Sequence, residues 1–173
     1  ARNVSMPNAI IKPIYIFIGD EAPYPFLDLE QARTFAHCDI KERLSVVDVF
    51  AELKRKFSVY LIRKPYESVS GDGMSEVDKM IHKVWVELLG EDHISILSEP
   101  GRVVDVIFGI LAKETDQTAY FQEELVGRQT PKQIATVNKS LLTIHRDVSE
   151  QKLLPGASVL HMPGLVRKPK SLL

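Results

Sequence analysis

The sequence predicts an α/β fold: an open parallel sheet of about three strands with helices on both faces, followed by a C-terminal helix and a tail. Three observations carry this expectation. Short apolar runs at residues 14–18, 58–62 and 93–97 lack polar alternation, as strands covered on both faces do. Each run is followed by a segment whose apolar residues recur at helical spacing. The intervals between runs are long enough for right-handed crossovers, which join parallel neighbours.

The first strand is Ile14-Tyr-Ile-Phe-Ile18, stopped by Gly19-Asp20. Pro23 and Pro25 then remove donors and fix φ, so the next stretch is irregular. Asp28 can cap a short helix carrying Leu29, Ala32 and Phe35. Ser45 is placed to cap a firmer one, with Val46, Val49, Phe50, Leu53 and Phe57 at helical spacing. Lys54, Arg55 and Lys56 suit the negative end of its dipole. The second strand, Ser58-Val-Tyr-Leu-Ile62, follows at once.

Residues 68–73 read as a flexible loop, and Ser75 with Asp78 as a capping box. The helix beyond places Val77, Ile81, Val84, Trp85 and Leu88 on one side, and Gly90 can end it. After the third strand, His93-Ile-Ser-Ile-Leu97, Ser98 and Pro100 open a helix expected to turn Val104, Ile107, Phe108 and Leu111 to the core. Thr130-Pro131 opens one more, carrying Ile134, Val137 and Leu141. Residues 116–145 read as a helical extension and 146–173 as an extended or disordered tail.

The chain has 173 residues, 45% of them hydrophobic and 26% charged, with a formal net charge of -1. That balance gives no general pull toward nucleic acid or membrane. No apolar run approaches the roughly 20 residues that span a bilayer. Cys38 is the sole cysteine, which excludes an internal disulfide and makes a reducing cytoplasm the simplest expected location.

Ligands of open parallel sheets bind beyond the carboxyl ends of the strands. Asp20 and Glu21 reach that edge after the first strand, and a carboxylate pair suits a hard cation such as Mg²⁺. The alternative is that Asp20 merely satisfies backbone donors in the turn. His37-Cys38-Asp39 is a poor nucleophile constellation, because adjacent side chains seldom converge. His82, His93, His145 and His161 lack zinc-ligand spacing. Gly71-Asp72-Gly73 fits neither a calcium loop nor a phosphate loop. The basic clusters at 54–56 and 167–170 have no interleaved aromatics, so neither reads as a nucleic-acid footprint.

Ile16-Phe-Ile-Gly-Asp-Glu21, with its Pro-containing loop, resembles the strand of von Willebrand factor A-like (vWA) domains that ends in the third metal-site motif. Val47-Asp-Val-Phe-Ala-Glu-Leu-Lys54 before Phe57-Ser-Val-Tyr60 is similar to the next helix and strand of bacterial proteins of this type. Trp85-Val-Glu-Leu-Leu-Gly90, Ile94-Ser-Ile-Leu97 and Arg102-Val-Val-Asp-Val-Ile-Phe-Gly-Ile-Leu111 continue the likeness, which covers roughly residues 10 to 115. It implies that residues 1–115 are the C-terminal half of a vWA-like α/β domain, half of a doubly wound Rossmann-like fold, in a fragment of a longer chain. It further implies a non-catalytic protein-binding module, Mg²⁺ at a metal-ion-dependent adhesion site, and a partner such as a MoxR-type AAA+ ATPase. Of that site's ligands only Asp20 has a counterpart. Glu21 stands where the family has Gly, and no Asp-x-Ser-x-Ser run precedes it.

Two other readings follow from the residues. Asp20 can serve as phospho-acceptor or nucleophile of a phosphotransfer or phosphohydrolase domain, with Arg63, Lys64, Ser98 and Glu99 at the other strand ends. Alternatively the chain is a metal-free structural subunit. If the chain is such a half-domain, the first strand, central in a complete vWA sheet, would present an unpaired apolar edge on its own. Self-association through that edge, pairing with a missing half, or cover by the chain's own ends would each relieve it.

Overall fold

Residues Ser58–Arg63 (β2) form the middle strand of a three-stranded parallel sheet, because their side chains tolerate burial on both faces. Tyr60 and Ile62 point one way, Val59 and Leu61 the other, and all four are buried. The computed structural model describes residues 12–66 and 73–146. In chain order the other elements are β1 (Ile14–Gly19), α1 (Leu29–Ala36), α2 (Val46–Lys56), α3 (Glu76–Leu89), β3 (Ile94–Ile96), α4 (Val103–Glu114), α5 (Thr118–Arg128) and α6 (Pro131–Ser140). The sheet runs β1-β2-β3, with Ile14 beside Ser58 and Leu61 beside Ile94. The fold is therefore α/β with an open parallel sheet, and no helix of the described residues is long and apolar enough to cross a membrane.

Helices cover both faces. Phe50 and Leu53 of α2 and Ile81, Trp85 and Leu88 of α3 pack with Val59 and Leu61. On the opposite face Val106 and Ile110 of α4, Phe121 and Leu125 of α5, and Val137 of α6 pack with Tyr60 and Ile62. Successive crossovers in one direction put α2 and α3 on the same side, and the chain after β3 returns across the other.

Local chemistry sets most helix starts. Asp28 accepts from Gln31 N–H, Ser45 from Asp48 N–H, and Ser75 from Asp78 N–H. Thr130 and Gln133 form a reciprocal capping box. Each such cap contributes about 1 kcal/mol. Gly90 ends α3 at a φ of 94°, a conformation other residues rarely adopt.

Several elements depart from the sequence expectation. His93 belongs to a 3-10 turn, so β3 begins at Ile94. Pro100 opens another such turn, and α4 starts only at Val103. In α4 Val104 and Phe108 are 55% and 50% exposed, while Val106 and Ile110 are buried. That helix is apolar nearly all round, so spacing alone could not choose its inward face. Asp105 helps to choose it, buried beside Arg102, Arg128 and Gln129. In α3 Val77 and Val84 face outward, while Ile81, Trp85 and Leu88 turn in. Within the helical extension expected at 116–145, α5 stands as a separate helix whose bounds the pattern does not mark: it has no side-chain cap and buries Phe121 and Leu125. The loop expected at 68–73 lies outside the described residues except for Gly73. The tail beyond 146, with its basic cluster and His161, lies outside them entirely.

The two outer strands are treated differently. Beside β3, Thr143 donates its hydroxyl to Ile94 O, Ser95 to Ser140 O, and His145 N–H to Asp92 O. The turn after α6 thus covers that edge. No strand of the described residues lies beyond β1.

The seat of α6 on α4 depends on Gly109. A Cβ there would lie 2.2 Å from Leu141 Cδ1 and 3.1 Å from its Cγ, and Leu141 is itself buried. Gly109→Ala is expected to cost about 1–3 kcal/mol by overpacking, outweighing the gain of up to about 1 kcal/mol in helix propensity. Urea unfolding checks this; a neutral or stabilised variant would show that Leu141 is not seated there.

Candidate functional site

At the carboxyl edge of the sheet, β1 and β2 end side by side, and Lys64 N–H extends their ladder by donating to Gly19 O at 3.0 Å. The chain then bends at Asp20, half-buried, and leaves Glu21 exposed. Glu21 is not loose. Trp85 of α3, buried against the sheet, donates its indole N–H to Glu21 O at 2.9 Å. A single aromatic side chain thereby ties the loop after β1 to the helix after β2.

The same helix organises the end of β2. Arg63 is fully buried and ion-paired with Asp78, also fully buried, through Nη2 and Oδ1. Asp78 Oδ1 accepts in addition from Tyr66 N–H at 3.2 Å, and Asp78 Oδ2 from Ser75 Oγ at 3.0 Å. One carboxylate holds the strand end, the loop and the start of the helix. A buried charge is tolerated only with such partners.

Because its backbone is fixed by Asp78, Tyr66 presents its hydroxyl to the Glu21 carboxylate, to which it hydrogen-bonds. That bond, followed by desolvation and the charges of Glu21, Asp20 and Asp78, pushes the Tyr66 phenol up from 10.0 to about 12. Up to its ordinary pKa the phenol is protonated in folded and unfolded chain alike, and the bond contributes fully. Its contribution is lost as pH rises from 10.0 through about 12.

The arrangement is an acidic rim, Asp20 and Glu21, with the half-exposed Tyr66 phenol beside Glu21. Mg²⁺ takes six oxygens in near-octahedral geometry and keeps several waters. Asp20 and Glu21 offer two carboxylates, one already bonded to Tyr66. Among the described residues no group of three or more His, Cys, Asp or Glu is placed to hold a metal. These residues alone do not compose a Mg²⁺ site.

The other sequence candidates are dispersed. Arg63 is committed to Asp78, Lys64 Nζ donates to Pro65 O at 2.6 Å, and Glu99 lies 4.0 Å from Arg102. His82 contacts Glu91 at 3.1 Å, and His93 stacks on Tyr60 at the opposite edge of the sheet. There Tyr60 donates to Glu114 at 2.6 Å; burial first, and then that bond, raise its pKa. His37, at a φ of 49°, closes the C-terminus of α1, and Cys38 N–H bonds Ala32 O. His37, Cys38 and Asp39 line an open cleft of about 680 Å³ with Leu27, Lys41 and Glu42.

Sequence reasoning located Asp20 and Glu21 but missed Tyr66, Trp85 Nε1 and the second role of Asp78. A buried Arg at the end of an apolar strand was the available signal, since it demands an acidic partner.

No family model, curated protein or solved structure matches this chain.

Asp78→Ala strands the Arg63 charge and is expected to cost about 3–5 kcal/mol, as breaking buried pairs does. Denaturant unfolding measures it, and a loss below about 1 kcal/mol would mean the pair is not buried in solution. Separately, Glu21→Gln is expected to bring the Tyr66 titration from about 12 back toward 10.0. Phenolate absorbance, with Tyr66→Phe as the blank, checks this; an unchanged midpoint would place Tyr66 away from Glu21.

Proposed function

We propose that this chain is a non-catalytic protein-binding module of the vWA type, docking its partner at the carboxyl end of β1. The observation that supports this reading is the acidic rim itself. Asp20 and Glu21 sit at the strand edge where open parallel sheets take ligands, their loop is held from behind by Trp85, and the Tyr66 phenol lies beside Glu21. A rim so fixed suits recognition, since preorganised groups lose little freedom on binding. In this reading Mg²⁺ binds weakly to the chain alone. The resemblance suggests a MoxR-type AAA+ ATPase as that partner.

The phosphotransfer reading has less support. Its basic residues at the end of β2 are engaged elsewhere, Arg63 by Asp78 and Lys64 by Pro65 O.

Calorimetric titration of the full chain with a MoxR-type ATPase, with and without Mg²⁺, tests the proposal. Binding is expected to need Mg²⁺, and Asp20→Asn to weaken it by roughly tenfold or more, about 1.4 kcal/mol. Binding that ignores both changes would instead favour a metal-free structural subunit. An acylphosphate at Asp20 after exposure to acetyl phosphate would favour phosphotransfer.

A further inference from the structure

The outer edge of β1 has a definite hydrogen-bonding phase. Pro13 O accepts from Ser58 N–H at 2.9 Å and Gly19 O from Lys64 N–H at 3.0 Å. Backbone groups alternate sides along a strand, so positions 13, 15, 17 and 19 serve the β2 ladder. The N–H and C=O groups of Ile14, Ile16 and Ile18 therefore point away from β2.

Natural edges are blunted by proline, by charge or by cover. Here Pro13 has the wrong phase, because its missing N–H lies on the inner side. Lys12 and Asp20 flank the strand, and no charged residue falls between them. The β3 edge, by contrast, is covered by residues 140–145.

Both faces of β1 are apolar as well. Ile14 and Ile16 pack on the core that holds Val103 and Ile107, while Ile18, Val104 and Phe108 remain 56%, 55% and 50% exposed. On the other face Tyr15, 41% exposed, lies 4.8 Å from Phe17, ring to ring. An edge strand dressed like a central one asks for a neighbour.

We infer that the neighbour is β1 of a second copy, antiparallel about a twofold axis at Ile16, joining two three-stranded sheets into one. In that register Ile16 faces Ile16, Ile14 faces Ile18, and Tyr15 faces Phe17 in the closer, non-hydrogen-bonded pairing. Lys12 then stands across from Asp20 at both ends, so the flanking charges are complementary. Parallel pairing would set Lys12 against Lys12, and it cannot close as a twofold pair. Both α4 helices come to the same side of the joined sheet. This inference needs neither a metal nor the partner proposed above, although it shares Asp20 with that rim.

Sedimentation equilibrium of the full chain over a concentration series tests it. The expected result is a monomer–dimer equilibrium that Lys12→Asp or Asp20→Lys weakens by roughly tenfold, because like charges then face each other. The doubly reversed Lys12→Asp, Asp20→Lys chain is expected to recover the parent affinity, which separates pairing from misfolding. In a Cys38→Ser background, Ile16→Cys is expected to form a disulfide between copies, its Cα atoms lying about 5.5 Å apart. Ile18→Cys is not, since the matching residue lies about 14 Å away along the strand. A chain monomeric at every concentration would overturn the inference, as would a dimer indifferent to the charge changes. Equal cross-linking at Ile16→Cys and Ile18→Cys would overturn the register.

Discussion

The buried pair between Arg63 and Asp78 is the constraint on which the carboxyl edge of this sheet depends. A guanidinium withdrawn from water at the end of a strand cannot be left alone, because an unpaired charge there costs several kcal/mol. Asp78 meets that need only if α3 starts at one place relative to β2. The same carboxylate bonds Tyr66 N–H and the Ser75 hydroxyl, so strand end, loop and helix start are fixed together. Trp85, on that same helix, is then in position to hold Glu21. The acidic rim inherits its geometry from α3 and not from its own short loop.

From this follows an asymmetry along and across the sheet. Across it, β2 is paired on both sides and buried on both faces, and β3 is covered by the turn after α6. The strand β1 shares the composition of β2 without sharing its surroundings. The rim and the outer edge of β1, beyond which no strand of the described residues lies, meet at the same strand end, where Asp20 belongs to both. A partner drawn to the rim and a second copy drawn to the edge would therefore compete or cooperate through a single residue.

What could be read from the sequence was whatever is local. The caps at Asp28, Ser45, Ser75 and Thr130 depend on residues three positions apart, and all four were legible. The strands were legible too, since unbroken apolar runs leave few alternatives. Asp20 and Glu21 were placed correctly because a strand end dictates where the next residues go. The links that fix them were not legible. Trp85 bonds Glu21 from 64 residues away, and Asp78 read locally as a capping residue while its main partner lay on β2. The inward face of α4 was misjudged because nearly every position on it is apolar. Its buried Asp105, paired with Arg128 from the next helix, was the deciding group. The extension at 116–145 was legible as helical, but with no cap before Thr118 the bounds of α5 were not.

The most direct measurement is amide hydrogen exchange, residue by residue along β1, at several protein concentrations. Tyr15, Phe17 and Gly19 belong to the β2 ladder, and their protection is expected to be independent of concentration. Ile14, Ile16 and Ile18 are expected to exchange quickly in dilute solution and to gain protection as concentration rises. Fast exchange at those three positions at every concentration would contradict edge pairing. Slow exchange that dilution does not relieve would contradict it equally, by showing that the chain covers its own edge.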